Sequence, residues 1–286
     1  MKQRLQSGTS GGGRLIVLAL CAIFLLAPGL ADAESSVLTD APTSAAPEAQ
    51  RLNDLLTRTA NQTAEFLDQF SDVKCTEQVR QEKLGKDDKV ELKEDSTYDY
   101  LVILTNAGGE LNLSESRIPV KDPKRDRKNT SMLLSNGFAT LFLVFHPYYS
   151  EAFKFTLAGG EVVDGRVLQK VTFEHIPGMK SPAALALRGR EYPLELSGTA
   201  WIDPQTGSLA KIEAGIADTL QDVGLKSLRS EIDFAPLGFS DSKQMWWFPT
   251  QARVEVETPR QHWRNLHQFT AYKKFSVSTE EQVVKK

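Results

Sequence analysis

Four histidines, two cysteines and a pair of glutamates two positions apart carry whatever reactive chemistry this chain can offer. A zinc centre gathers ligands at short, fixed spacings, whereas His262 and His267 are five apart and on one strand would point to opposite faces. His146, before Pro147, and His175, before a Pro-Gly turn, stand alone. All four read as surface or packing histidines, and neither a metal nor a cofactor is expected. Glu255 and Glu257 share a strand face, as the two carboxylates of an acid/base pair do. Arg253 lies on that face too, while Ala252, Val254 and Val256 make the other, so the pair reads as part of a solvated face crossed by ion pairs. Cys75 reads as a small buried residue, and apolar surroundings raise a thiol's pKa and disarm it as a nucleophile. After residue 33 there is no G-x-S-x-G, and the chain has no P-loop or G-x-G-x-x-G. No catalytic residue is named, and an enzyme is not expected. A secreted hydrolase, the third reading, would need a base with a partner at useful spacing.

The chemistry that the residues do favour is burial. Phe138, Phe142, Phe145, Tyr148, Tyr149, Phe153 and Phe155 crowd the middle of the chain, and Trp246, Trp247 and Phe248 follow near the end. They read either as an ordinary aromatic core or as the wall of an apolar pocket between a curved sheet and an inserted helix. In the second reading the lining is Phe138, Leu141, Phe142, Phe145, Phe153, Phe155, Trp201, Trp246 and Trp247.

The elements that must position these groups begin after an N-terminal segment of different chemistry. Lys2, Arg4 and Arg14 precede the apolar run "LIVLALCAIFLLA", which Pro28 and Gly29 break before a small-x-small "ADA". The run is shorter than the roughly 20 apolar residues of a membrane span, so residues 1–33 read as an export signal cleaved after Ala33. Cys21 follows Leu20 within the run and not a small residue at its end, which argues against lipid attachment. Cleavage removes three basic residues and Asp32, moving the net charge from −3 to about −5. That mild balance leaves no footprint for nucleic acid. One thiol, Cys75, remains, so the fold must stand without an internal disulfide.

Residues 34–47, rich in Ala, Ser, Thr and Pro, read as a flexible linker, and residues 48–280 as a single domain with a short tail at 281–286. Leu52, Leu55, Leu56, Thr59, Thr63, Phe66, Leu67 and Phe70 recur at three- and four-residue steps, one face of an amphipathic helix. "SDVKCTEQVRQEKL" alternates like a strand with one wet face, whereas "STYDYLVILTN" sets Tyr98, Tyr100, Val102 and Leu104 against Leu101 and Ile103 and reads as covered on both sides. "FATLFLVFHPYY" reads as a short helix inserted between layers and stopped by Pro147. Further strands are expected at "KFTLAG", "EVVDGRVLQKVTFEHI", "YPLELSGTAWID", "SLAKIEAGI", "LRSEIDFAPL", "QMWWFPTQARVEVET" and "LHQFTAYKKFSV". The fold class is therefore α+β, built on a large antiparallel sheet. Lys121, Lys124, Arg125, Arg127 and Lys128 form a basic loop that reads as solvated, with peripheral membrane contact as the alternative.

The hairpin "WIDPQTGSLAKIE" adds a family resemblance, carried by Trp201, Ile202, Asp203, Pro204, Thr206, Gly207, Leu209 and Ile212. With the export signal, the leading amphipathic helix and the inserted central helix, it resembles the periplasmic lipoprotein-carrier superfamily: the LolA and LolB proteins and the sensor domain of RseB-type regulators. The resemblance implies an incomplete β-barrel, lidded by helices, whose concave side holds acyl chains. The lipobox of a LolB-like receptor is absent from this chain. The expectation is a periplasmic or secreted, non-enzymatic protein binding an apolar or acylated ligand or a lipoprotein. The alternative is an envelope sensor or scaffold that recognises a protein partner through the sheet and has a filled core.

Overall fold

Ten strands pair antiparallel in the order β3-β2-β1-β12-β11-β10-β9-β8-β5-β4, so the first and last strands of the chain lie side by side inside the sheet. They are β1 Val73–Leu84, β2 Val90–Ala107, β3 Glu110–Pro119, β4 Phe153–Val163, β5 Arg166–His175, β8 Leu196–Ile202, β9 Leu209–Ile216, β10 Ser227–Gly238, β11 Met245–Glu257 and β12 His262–Lys274. A separate two-stranded hairpin, β6 Ala184–Leu187 and β7 Arg190–Pro193, interrupts the chain between β5 and β8. These features come from a computed structural model, which describes residues 45–71, 73–107, 110–120, 141–163, 165–187, 190–239 and 244–274. The expected export signal, the basic loop at 121–128 and Phe138 lie outside the described residues.

The sheet curls without closing, and β3 and β4 remain as its two ends. Arg166 of β5 stacks 4.9 Å over the ring of Trp247 of β11, although β8, β9 and β10 lie between them, and only a strongly curved sheet permits this. The concave face buries Val73, Cys75 and Val79 of β1, Ala200 and Ile202 of β8, Ile212 of β9, Ile232 of β10 and Phe269 of β12. These are alternate positions, as the pleat requires.

One helix, α1 (Ala45–Phe70), lies on that face. Its buried stripe is the expected one: Leu55, Thr59, Thr63, Phe66, Leu67 and Phe70 are buried, and Leu52 and Leu56 pack at the margin. It begins at Ala45, within the stretch read as linker. The inserted segment is helical at Leu141 and Phe142 and then tightens into a 3-10 turn, Leu143–Phe145, with all five residues buried.

Two expectations change. The stretch "EVVDGRVLQKVTFEHI" is not one strand: Glu161–Val163 complete β4, Gly165 takes φ +77°, and β5 follows as the return strand. Asp-Gly between apolar runs is a hairpin signal that explains the break. On β2, Tyr100 and Val102 are buried on the concave face, but Ile103 is 43% exposed, so the outer face of this strand is open.

Gly198 marks a close approach between neighbouring strands. A Cβ there would collide with the backbone carbonyl of Glu213 and come within 2.7 Å of Cζ of Phe173. Gly198→Ala is expected to destabilise the fold by about 1–3 kcal/mol through this overpacking, read from urea denaturation midpoints. An unchanged midpoint would show that the strands separate freely at this point.

Candidate functional site: the concave face

The concave face divides into an aromatic half and a charged half. In the aromatic half, Phe66 of α1 is the hub: its ring centroid lies 4.7 Å from Phe142, 5.2 Å from Phe70 and 5.3 Å from Phe248. Phe142 continues to Phe234 at 4.8 Å, and Phe145 reaches Phe155 at 5.4 Å and Phe173 at 5.8 Å. The space left between Gln62, Thr63, Phe66, Phe142, Ser208, Leu209 and Trp247 is ≈ 10 Å³, about room for one water. Among the described residues, the protein's own aromatic side chains pack against one another across this half of the concavity.

Of the expected lining residues, Leu141, Phe142, Phe145, Phe153 and Trp246 are buried in this cluster, and Phe155 and Trp247 pack against it. Trp201 is elsewhere. Ala200 and Ile202 point into the core, so alternation turns Trp201 to the outer face. There it lies between Lys170 and Lys211, whose ammonium groups sit 5.1 and 5.2 Å from its ring, and its Nε1–H donates to Glu161 at 2.9 Å. Lysine stems and cation–π contacts cover an indole well, so the strand carries large groups on both faces without a second core.

The hairpin turn after Trp201 has a job in this arrangement. Asp203 accepts from the backbone N–H of Gln205 and of Thr206, and Gly207 takes φ +77°. A Cβ on Gly207 would stand 2.7 Å from the backbone carbon of Arg58 and 2.8 Å from the nitrogen of Thr59. Arg58 Nη2 donates to the carbonyl of Pro204 at 3.1 Å. The turn is the seat of α1.

The charged half lies toward β3. Arg117 grips Glu77 with both Nε and Nη2, at 2.6 and 2.9 Å, and its Nη1 is 2.9 Å from Glu115. His267 Nδ1 lies 2.8 Å from Glu77, and the guanidinium sits 5.0 Å over the Tyr100 ring. Burial alone would raise the Glu77 carboxyl, but hydrogen bonds from His267 and Arg117 outweigh it and hold the group below the usual carboxylate range. Glu115 goes the other way: burial raises it, Arg117 offsets only part, and repulsion from Glu77 adds to the rise. Burial also pushes the Cys75 thiol up to about 12. Glu77 orients an imidazole as a catalytic carboxylate would, but the thiol on the same strand face is no nucleophile near neutral pH. Among the described residues no group of three or more His, Cys, Asp or Glu could hold a metal ion, and no helix is long and apolar enough to cross a membrane.

Sequence reasoning missed this cluster. Glu77 stands at an inward position of the β1 alternation, between Cys75 and Val79, and that oddity was readable. Its partners, 40 and 190 positions away, were not. Of the other histidines, His262 is on the outer side of β12, paired loosely with Asp88 at 3.4 Å, and His175 is buried edge-on against Phe153. Glu255 accepts from Arg253 at 3.0 Å, and Glu257 pairs with Lys226, on the outer face as expected. A separate groove of ≈ 560 Å³, bordered by Thr199, Glu213, Arg229, Glu231 and Arg253, also lies on the outer face, away from the concavity.

Fold and site together define a class: an open antiparallel half-barrel with a helix-filled concave side and no assembled catalytic centre among the described residues. No family model matches the chain, and no curated protein matches it. Solved structures are similar, among them the following three. A DUF1329 family protein from Desulfovibrio piger is 10% identical, with 77% of this chain and 92% of that chain covered and a TM-score of 0.40. A LolA superfamily protein from Nitrosomonas europaea is 10% identical over 78% and 94%, with a TM-score of 0.36. An outer membrane lipoprotein-sorting protein domain from Vibrio parahaemolyticus is 11% identical over 79% and 94%, with a TM-score of 0.37.

The two buried carboxylates should respond oppositely to pH. Glu77 has a depressed pKa, so its stabilisation is complete above the unfolded value near about 4.3 and is lost as pH falls through the folded value. Glu115 has a raised pKa, so the fold favours its neutral form, and its ionisation costs stability as pH rises from the unfolded value through the folded one. In dilute solution at neutral pH, Glu77→Gln is expected to lose about 3–5 kcal/mol, because Arg117 stays buried without its bidentate partner. Glu115→Gln is expected to raise stability and to flatten the profile above about pH 4.3. Urea midpoints across pH 4 to 8 read both, and a destabilised Glu115→Gln at neutral pH contradicts the assignment.

Proposed function

We propose that the protein is an exported, non-catalytic carrier that holds an apolar or acylated chain, from a lipid or a lipoprotein, on the concave side of the half-barrel after α1 moves aside. The observation that carries this reading is the way α1 closes an aromatic wall. Four large residues, Leu55, Phe66, Leu67 and Phe70, anchor the helix in full burial, while its central turns rest Thr59 and Thr63 against the sheet. At about 1.5–3 kcal/mol per buried side chain, the anchors contribute roughly 6–12 kcal/mol. An acyl chain of about 14 methylene groups gains about 11 kcal/mol by entering the same wall, at about 0.8 kcal/mol each. The two are close enough to exchange, so a filled concavity and a binding site are compatible in one fold.

A second reading keeps α1 in place and makes the protein an envelope sensor or scaffold. The residual space of ≈ 10 Å³ favours it, as does the polar groove on the outer face.

A fatty acid brominated along its tail separates the two, with mature protein purified without detergent. The carrier reading expects quenching of tryptophan fluorescence, weakened in Trp247→Phe, and a one-to-one adduct in native mass spectrometry. Phe66→Ala is expected to bind the probe more tightly while losing about 3–5 kcal/mol of stability, because it removes a lid anchor and opens the wall. Absence of quenching and adduct in both the natural chain and Phe66→Ala overturns the carrier reading and leaves the scaffold.

A further inference from the structure

Among the described residues the two ends of the sheet are protected unequally. On β4 the register slips between Leu157 and Gly160, with Gly159 at φ +89°, and a bulge of this kind spoils an edge for further pairing. On β3 the register with β2 runs unbroken from Glu110 to Pro119. The Val120 N–H donates to Thr97 of β2, so by alternation the backbone groups of Ser114, Ser116 and Ile118 face β2 while those of Leu113, Glu115 and Arg117 face away from it. Beside this edge Ile103, Ile118 and Val120 are 43%, 58% and 52% exposed. Glu115, on the concave side, is buried, and its Oε2 has the Arg117 guanidinium near it but no well-aligned hydrogen bond.

We propose that β3 pairs antiparallel with β3 of a second copy of this chain, about a two-fold axis at Ser116. The order Ser-Glu-Ser-Arg-Ile, residues 114–118, is self-complementary in that register. Glu115 falls opposite Arg117 of the partner subunit, and Arg117 opposite the partner's Glu115. Both residues are ones whose backbone faces outward, so they exchange the ladder hydrogen bonds while their opposite charges meet on the concave side. Ile118 falls opposite the partner's Ser114 on the outer face, where an added strand would cover part of the exposed apolar strip. Pro119, which has no N–H, ends the ladder at one side, and by the two-fold symmetry the partner's Pro119 ends it at the other, which fixes its length. The interaction is isologous and closes on itself, so it yields a dimer and not a fibre.

Ser116 gives a direct test, because it meets its own copy on the axis and its side chain points to the outer face, away from the buried ion cluster. The mature chain is expected to show twice the monomer mass in sedimentation and light scattering. Ser116→Lys alone and Ser116→Glu alone are each expected to be monomeric, since like charges face each other on the axis, while retaining the far-UV spectrum of the natural protein. Mixing the two in equal amounts is expected to restore the dimer as a heterodimer. A monomeric natural chain overturns the proposal. So does a dimer that survives in both single variants, which places the interface elsewhere, and so does failure of the mixture to recover the doubled mass.

Discussion

A sheet that curls without closing has one face that it cannot cover with itself. Ten antiparallel strands in this chain bend far enough for Arg166 of β5 to reach Trp247 of β11, and the concave side then holds more apolar surface than the sheet alone can bury. A closed barrel would fill its interior from opposing strands. This half-barrel fills its aromatic half from outside the sheet, with α1 and the segment around Leu141–Phe145. The remaining features follow from that need: a helix with a wide apolar stripe, a hub residue such as Phe66 that touches sheet and inserted segment alike, and a turn shaped to receive the helix.

That turn shows how a local backbone choice serves a long-range contact. Asp203, Pro204 and Gly207 make a short hairpin by ordinary turn chemistry, and Gly207 would be explained by its positive φ alone. The same glycine also lets the α1 backbone approach at Arg58 and Thr59, closer than any side chain would allow. Conformational need and close approach coincide at one position. The helix is thereby held at its middle by a polar seam at Thr59 and Thr63, flanked by Leu55 on one side and by Phe66, Leu67 and Phe70 at its C-terminal end.

Much of this was legible where the chemistry is local. The α1 stripe, the alternation of β1 and the turn at Asp203–Gly207 follow from spacing and residue type, because neighbours in sequence decide them. Trp201 was misplaced because an aromatic residue in a strand reads as core, while its cover, Lys170 and Lys211, comes from strands on either side. The Glu77–Arg117–His267 cluster was invisible for the same reason: β1, β3 and β12 meet only through a sheet order that joins the two ends of the chain. Period-two patterning says which way a side chain points. It does not say whom it will meet.

The charged cluster also explains why the two halves of the concavity are different in kind. An apolar wall can exchange one apolar occupant for another, since burial has no direction and little geometric demand. A buried Arg–Glu pair cannot: removing either partner leaves a charge without water, so the β3 side of the concavity is fixed in shape once it forms. The rigid half lies beside β3, an end strand of the sheet among the described residues, and the apolar half lies under the helix. On the proposed carrier reading, segregating the two would let α1 leave its seat without disturbing the strands that hold Glu77 and Arg117, and would keep β3 in register with β2 whatever occupied the aromatic wall.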